Sequence, residues 1–119
     1  MLRILLVEDN IEILENTSEI LTLSGFTVFT ASSAKQGLRI AHDQQLDVII
    51  TDVVMPDVDG WQMAQDLRGD QRTAHIPIIF LTAHTEEIYR ERARALGVAD
   101  YVVKPFTSRQ LIQTLQSYM

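Results

Sequence analysis

Five polar residues stand where apolar runs end, and together they can hold a cation and a phosphoryl group. Glu8 and Asp9 follow Ile4-Leu5-Leu6-Val7, and Asp52 follows Val48-Ile49-Ile50-Thr51. Thr82 closes Ile78-Ile79-Phe80-Leu81, and Lys104 closes Tyr101-Val102-Val103. Taken singly, each has a plain role: a strand-end Asp or Thr bonds the next loop, and a Lys is a solvated amine. Taken together, they are three carboxylates, a hydroxyl and an amine. Clustered carboxylates repel and raise one another's pKa unless a cation lies between them. Hard oxygen donors with room for water suit Mg²⁺, which shares its shell with phosphate oxygens. A compact ammonium can pair first with a carboxylate and then with a phosphoryl oxygen. The chemistry this allows is phosphoryl transfer to a carboxylate nucleophile, where positioning and electrostatics dominate.

Such convergence requires particular elements. Short, β-branched, nearly continuous apolar runs read as strands buried on both faces of a parallel sheet. In an open α/β sheet, ligands gather beyond the carboxyl ends of the strands. The pattern predicts strands over Leu2 to Val7, Phe26 to Ala31, Asp47 to Asp52, the fourth run after Pro77, and Tyr101 to Val103. The third, being most apolar, is expected at the centre. Helices fall between them. The first, Ile11 to Ser24, places Ile13, Leu14, Thr17, Ile20 and Leu21 on one helical face and is expected to stop at Gly25. Ser33 with Gln36 and Thr107 with Gln110 have capping-box spacing. The second helix is expected to turn Ala34, Gly37, Leu38 and Ala41 inward, the third to carry Trp61, Ala64 and Leu67 on one side, and the last to be amphipathic with Leu111, Ile112 and Leu115. Pro56, Asp57, Asp59 and Gly60 mark a turn-rich loop, and Gly97 stops a helix from Glu86 to Leu96. Five βα units imply a parallel sheet with helices on both faces.

Composition narrows the function classes. The 119 residues suit one domain, residues 1–119, and 46 % hydrophobic with 22 % charged residues describes a globular chain. A net charge of −6 leaves no basic stripe for direct nucleic-acid binding. The chain has no cysteine, which excludes disulfides and thiolate metal sites and suits a reducing compartment. Met1-Leu2-Arg3 runs straight into the first strand, and no apolar stretch approaches the roughly 20 residues of a membrane span. A cytoplasmic protein without membrane contact is expected.

The ordered motifs VEDN, DVIITDVVMPDVDG, PIIFLTA and LGVADYVVKPF resemble the receiver domain of two-component response regulators, over essentially the whole chain. The resemblance implies a flavodoxin-like doubly wound fold with strand order 2-1-3-4-5 and five helices. It implies Asp52 as phosphoacceptor, loaded from a phosphohistidine of a sensor histidine kinase or a histidine phosphotransfer protein. Asp9, Asp52 and the Val54 carbonyl would ligate Mg²⁺, with Glu8 acting through water. Thr82 and Lys104 would hold the phosphoryl oxygens. Thr82 and Tyr101 would form the switch, the Tyr101 ring filling space that Thr82 vacates. The Lys104-Pro105 bond would be cis. Glu8 stands where many members have Asp. Val54 and His84 occupy positions that tune phosphoryl lifetime in the family, and a valine there cannot hold a hydrolytic water.

Three rivals fit less well. An aspartyl-nucleophile phosphatase needs a second Asp two residues after the first, and Val54 stands there. An FMN binder needs a Ser/Thr/Gly-rich phosphate loop after the first strand, where Glu8-Asp9-Asn10 would repel phosphate. A degenerate receiver would lack part of the acceptor set. The expectation is therefore a phosphorylatable switch, not an enzyme beyond its own phosphorylation and dephosphorylation, with no output domain in these residues. A free-standing regulator and a receiver cut from a larger protein both fit. Arg90, Arg92 and Arg94 with Glu86, Glu87 and Asp100 are either solvated or part of a homodimer face on the fourth helix, fifth strand and fifth helix. His42 and His75 read as solvated, and Trp61 as packing.

Overall fold

The computed structural model describes residues 2–54, 59–83 and 86–119. The loop expected at Pro56 and Asp57, and the position of His84, lie outside the described residues. In chain order the elements are β1 (Arg3–Val7), α1 (Ile11–Leu23), β2 (Thr27–Ala31), α2 (Ala34–Asp43) and β3 (Val48–Asp52). They continue with α3 (Gly60–Arg68), β4 (Ile78–Thr82), α4 (Glu87–Ala95), β5 (Asp100–Val103) and α5 (Ser108–Gln116). All neighbouring strands pair in parallel, in the order β2-β1-β3-β4-β5, so β3 is central as its composition requires.

Alternation along the buried strands splits the core into two layers. Leu5, Val7, Ile49, Ile78 and Phe80 face α2, α3 and α4 with Trp61, Met63 and Leu67. Ile4, Leu6, Val48, Ile50, Ile79 and Leu81 face α1 and α5 with Leu14, Leu21, Leu111 and Leu115. Fully burying each such side chain stabilises by about 1.5–3 kcal/mol.

Helix starts follow their caps. Asn10 Oδ1 accepts from the Ile13 N–H, and Asp59 Oδ1 accepts from the Gln62 N–H. Thr107 and Gln110 form the full reciprocal box. At α2 only half forms: Ser33 Oγ accepts from Gln36, but the Gln36 amide oxygen takes the N–H of Ser32 instead. Gly97 leaves α4 at φ 74°, a conformation that costs a side chain Cβ contact and suits glycine.

The apolar face of α1 is only partly covered. Leu14 and Leu21 are buried, but Ile13 and Ile20 are 42 % and 39 % exposed. Helical periodicity identified the apolar stripe, which is wider than the sheet can cover. The flank carrying Ile13, Thr17 and Ile20 instead lines an open groove of about 580 Å³ with Phe106 and Leu111 of the α5 side.

Candidate functional site: a carboxylate cluster at the sheet edge

Strand register brings the site residues together. Val7 pairs with Thr51 across β1 and β3, so Glu8 and Asp52, each the next residue, leave the sheet side by side. Asp52 pairs with Leu81, placing Thr82 one step further along β4. Thr82 pairs with Val103, and the Lys104 N–H donates to the Thr82 carbonyl at 2.7 Å. Thus all five residues singled out by type and spacing occupy the carboxyl edge of four adjacent strands.

Side-chain contacts tie the cluster. Carboxylate oxygens of Glu8, Asp9 and Asp52 all lie within 4.8 Å of one another. Lys104 Nζ lies 2.7 Å from Asp52 Oδ2 and 3.3 Å from Glu8 Oε1. Glu8 Oε2 also accepts from the Asn10 N–H at 3.3 Å. Glu8 and Asp52 are buried, Asp9 is exposed, and Thr82 is 2 % exposed. Burial, followed by the charge of Asp52, pushes the Glu8 carboxyl above its usual range. For Lys104 burial pulls downward, but the hydrogen bond to Asp52 and the charges of Asp52 and Glu8 outweigh it, and its pKa is raised. The amine therefore stays charged. Val54 is exposed, and its N–H donates to Asp52 Oδ1 at 3.4 Å. The Lys104-Pro105 bond is cis.

The donor set fits a hard divalent cation. Three carboxylates against one ammonium leave surplus negative charge, and the donors are oxygens without sulfur or imidazole.

Tyr101 lies inward. Its ring packs against the α3–α4 core layer, and its hydroxyl is buried with no hydrogen-bond partner among the described residues. The Arg90 guanidinium sits 5.0 Å over that ring. Tyr118 Oη donates to Asp100 Oδ2, so Asp100 is held within the chain. Of the two histidines read as solvated, His75 is exposed, but His42 Nε2 lies 3.0 Å from Asp70 Oδ2. That pairing joins α2 to the α3–β4 loop and has no local sequence signal.

Residue-type reasoning missed one contributor. A Cβ on Gly60 would lie 2.8 Å from the Asp52 carbonyl oxygen and 2.8 Å from Val53 Cα. By sequence Gly60 marks a turn, whereas its lack of a side chain lets α3 rest on the backbone of Asp52 and Val53. Only the tertiary contact distinguishes these uses of glycine.

Fold and site together define a cation-ready carboxylate cluster with a resident amine, at the carboxyl edge of a doubly wound parallel sheet. The family model for the response regulator receiver domain matches residues 4–116. The chain belongs to that family. It is similar to a probable transcriptional regulator ycf27 of Cyanidium caldarium, 37 % identical over 98 % of this chain and 45 % of the relative. It is also similar to the phosphate regulon regulatory protein PhoB of Pseudomonas aeruginosa, 33 % identical over 98 % of this chain and 51 % of that protein. The chain spans about half the length of these curated relatives. Among solved structures, chemotaxis protein CheY4 of Vibrio cholerae superposes with TM-score 0.94 at 33 % identity, covering 100 % of this chain and 99 % of that one. The receiver domain of a Pseudomonas aeruginosa sensor histidine kinase, described with a magnesium ion coordinated in its active site cleft, gives TM-score 0.88 at 32 % identity. That match covers 98 % of this chain and 96 % of the other. Among the described residues no helix is long and apolar enough to cross a membrane.

Proposed function

We propose that Asp52 accepts a phosphoryl group from the phosphohistidine of a sensor histidine kinase or histidine phosphotransfer protein. The observation that carries this reading is the shared ammonium of Lys104, set between Asp52 and Glu8 where three carboxylates converge. An Asp52 oxygen attacks phosphorus, the P–N bond to the donor imidazole breaks, and the nitrogen keeps the electron pair and takes a proton. An acyl phosphate results. Asp9, Asp52 and the Val54 carbonyl would hold Mg²⁺, with Glu8 acting through water. When bound, the ion neutralises charge on the transferring oxygens. In this reading Lys104 leaves the carboxylate for a phosphoryl oxygen, and Thr82 donates a hydrogen bond to another. The chain is a switch that assists only its own phosphorylation and loss of phosphate.

The donor must present its histidine at Asp52. The groove between α1 and α5 opens beside Lys104 and offers Ile13, Ile20 and Phe106 as apolar anchors for that partner. A cysteine-free chain and such a donor suit the cytoplasm. Output would pass from Thr82 and Tyr101 to the surface of α4, β5 and α5, a local charge change biasing a two-state element. Exposed Glu87 and Arg94 give that surface charges of both signs, suited to a second copy or a downstream protein.

Intact mass after incubation with acetyl phosphate and Mg²⁺ tests the acceptor. One phosphoryl group, labile to hydroxylamine, is expected on the wild type and none on Asp52→Asn. Equal labelling of the variant would sink the assignment.

A further inference from the structure

A second line of contacts runs from the acceptor to α4, apart from Thr82 and Tyr101. It begins at Gly60, whose N–H donates to the Val53 carbonyl at 2.7 Å and whose Cα packs on the Asp52–Val53 backbone. The next residue, Trp61, is 6 % exposed. Its ring meets Phe80 of β4 edge-on, with centroids 5.1 Å apart and planes at 85°. It lies nearly parallel to Tyr89, at 6.5 Å and 25°, and carries the Arg92 guanidinium 4.3 Å over its face. Tyr89 and Arg92 both belong to α4.

That helix is lightly seated. Ala93 is its one fully buried residue, and its N-cap Glu86 makes no side-chain cap hydrogen bond. Elements with few buried contacts open or shift at low free energy, so the contacts they do make decide where they rest. Trp is the best aromatic partner for a guanidinium, and a face-on Arg ties the helix to the indole specifically.

We propose that Trp61 is a positioning residue that couples the acceptor to α4, with Arg92 and Tyr89 as its grip on that helix. A shift of the Asp52–Val53 backbone passes through Gly60 to the indole, and from the indole to α4. The inference rests on the phosphoacceptor reading and deepens it: α4 receives the signal through α3 as well as through β5. Trp61 itself touches neither the carboxylates nor the amine in any contact described.

Trp61 is the chain's single tryptophan, so its emission reports this one position. The experiment titrates the full chain with Mg²⁺ and beryllofluoride, a phosphoryl mimic, and reads site occupancy by fluorine NMR. Tryptophan emission and amide shifts are followed in parallel. In the wild type, emission should change in step with bound fluoride, and amides of α4 should shift. In Arg92→Gln, a surface change away from the site, occupancy should persist while the emission change and the α4 shifts are largely lost. Trp61→Phe should keep shifts at Asp52 and Val54 and lose those of α4, with a dispersed spectrum verifying the fold. Full α4 shifts in both variants would overturn the coupling. So would flat wild-type emission with fluoride bound. Absence of bound fluoride in every protein would instead overturn the acceptor reading, and this inference with it.

Discussion

The Lys104 ammonium lies 2.7 Å from Asp52 and 3.3 Å from Glu8, so one cation serves two buried carboxylates, and an Asp9 oxygen lies within 4.8 Å of both of them. With all four groups ionised the cluster is negative, and one divalent ion would bring it to neutrality. Burial, and then the charge of Asp52, push the Glu8 carboxyl above its usual range. The amine is therefore a structural counter-ion, and in the proposed reaction it would turn to the incoming phosphoryl group.

Removing that counter-ion should be costly. Lys104→Gln leaves Glu8 and Asp52 facing each other without a resident cation. A loss of about 1–3 kcal/mol is expected in Mg²⁺-free urea denaturation, below the cost for a fully buried pair because Lys104 is partly exposed. An unchanged midpoint would show that solvent already screens the pair.

Magnesium should stabilise the fold through the same cluster. Binding to the native state alone adds about 2.7 kcal/mol at 100 times Kd. The melting temperature should rise with Mg²⁺ in the wild type and hardly respond in Asp9→Ala; equal responses would place the ligands elsewhere.

Gly60→Ala tests the close approach of α3 to the Asp52–Val53 backbone. The new Cβ meets backbone atoms at 2.8 Å, and these cannot rotate away as a flexible side chain could. Overpacking of this kind costs about 1–3 kcal/mol. Slower labelling by acetyl phosphate should accompany the loss, since relief requires Asp52 itself to move. A fully stable, normally labelled variant would contradict the contact.

Asp70 predicts a pH dependence distant from the site. The Arg72 N–H and side-chain hydrogen bonds, and then the charges of Arg72 and His42, hold its carboxyl below the usual range. A depressed folded pKa means the unfolded chain binds the proton first, so the contribution is present above the ordinary Asp range and lost as pH falls below it. Asp70→Asn should thus lower stability at pH 7 and converge on the wild type in acid. A difference that stays constant with pH would show that the effect is not electrostatic.

Much of the site was legible because parallel strands buried on both faces demand uninterrupted β-branched runs. A polar residue directly after such a run must lie at the sheet edge, so Glu8, Asp52 and Thr82 announce their positions by where the apolar residues stop, and Lys104 likewise follows the half-buried edge strand β5. The caps Ser33 and Thr107 are equally local, since each bonds a backbone N–H three residues on. The central place of β3 followed from its composition, whereas the order of all five strands came from the family resemblance.

What tertiary structure decided lies in partners far apart in sequence. Arg68 donates to the carbonyls of Ala74, Ile76 and Gly97, stapling α3 to two later turns, and nothing in its neighbourhood marks it. Ile13 and Ile20 share an apolar stripe with Leu14 and Leu21, yet only the latter pair is covered. Periodicity reports which residues share a helix face; how much of that face is buried depends on the tilt of the helix on the sheet. Trp61 was legible as packing, but its hold on Arg92 and Tyr89 exists only once α4 lies against α3. Local pattern is set by backbone periods of two and 3.6 residues, and a single chain segment carries it. Contacts between segments depend on how separate elements dock, and no one segment encodes that.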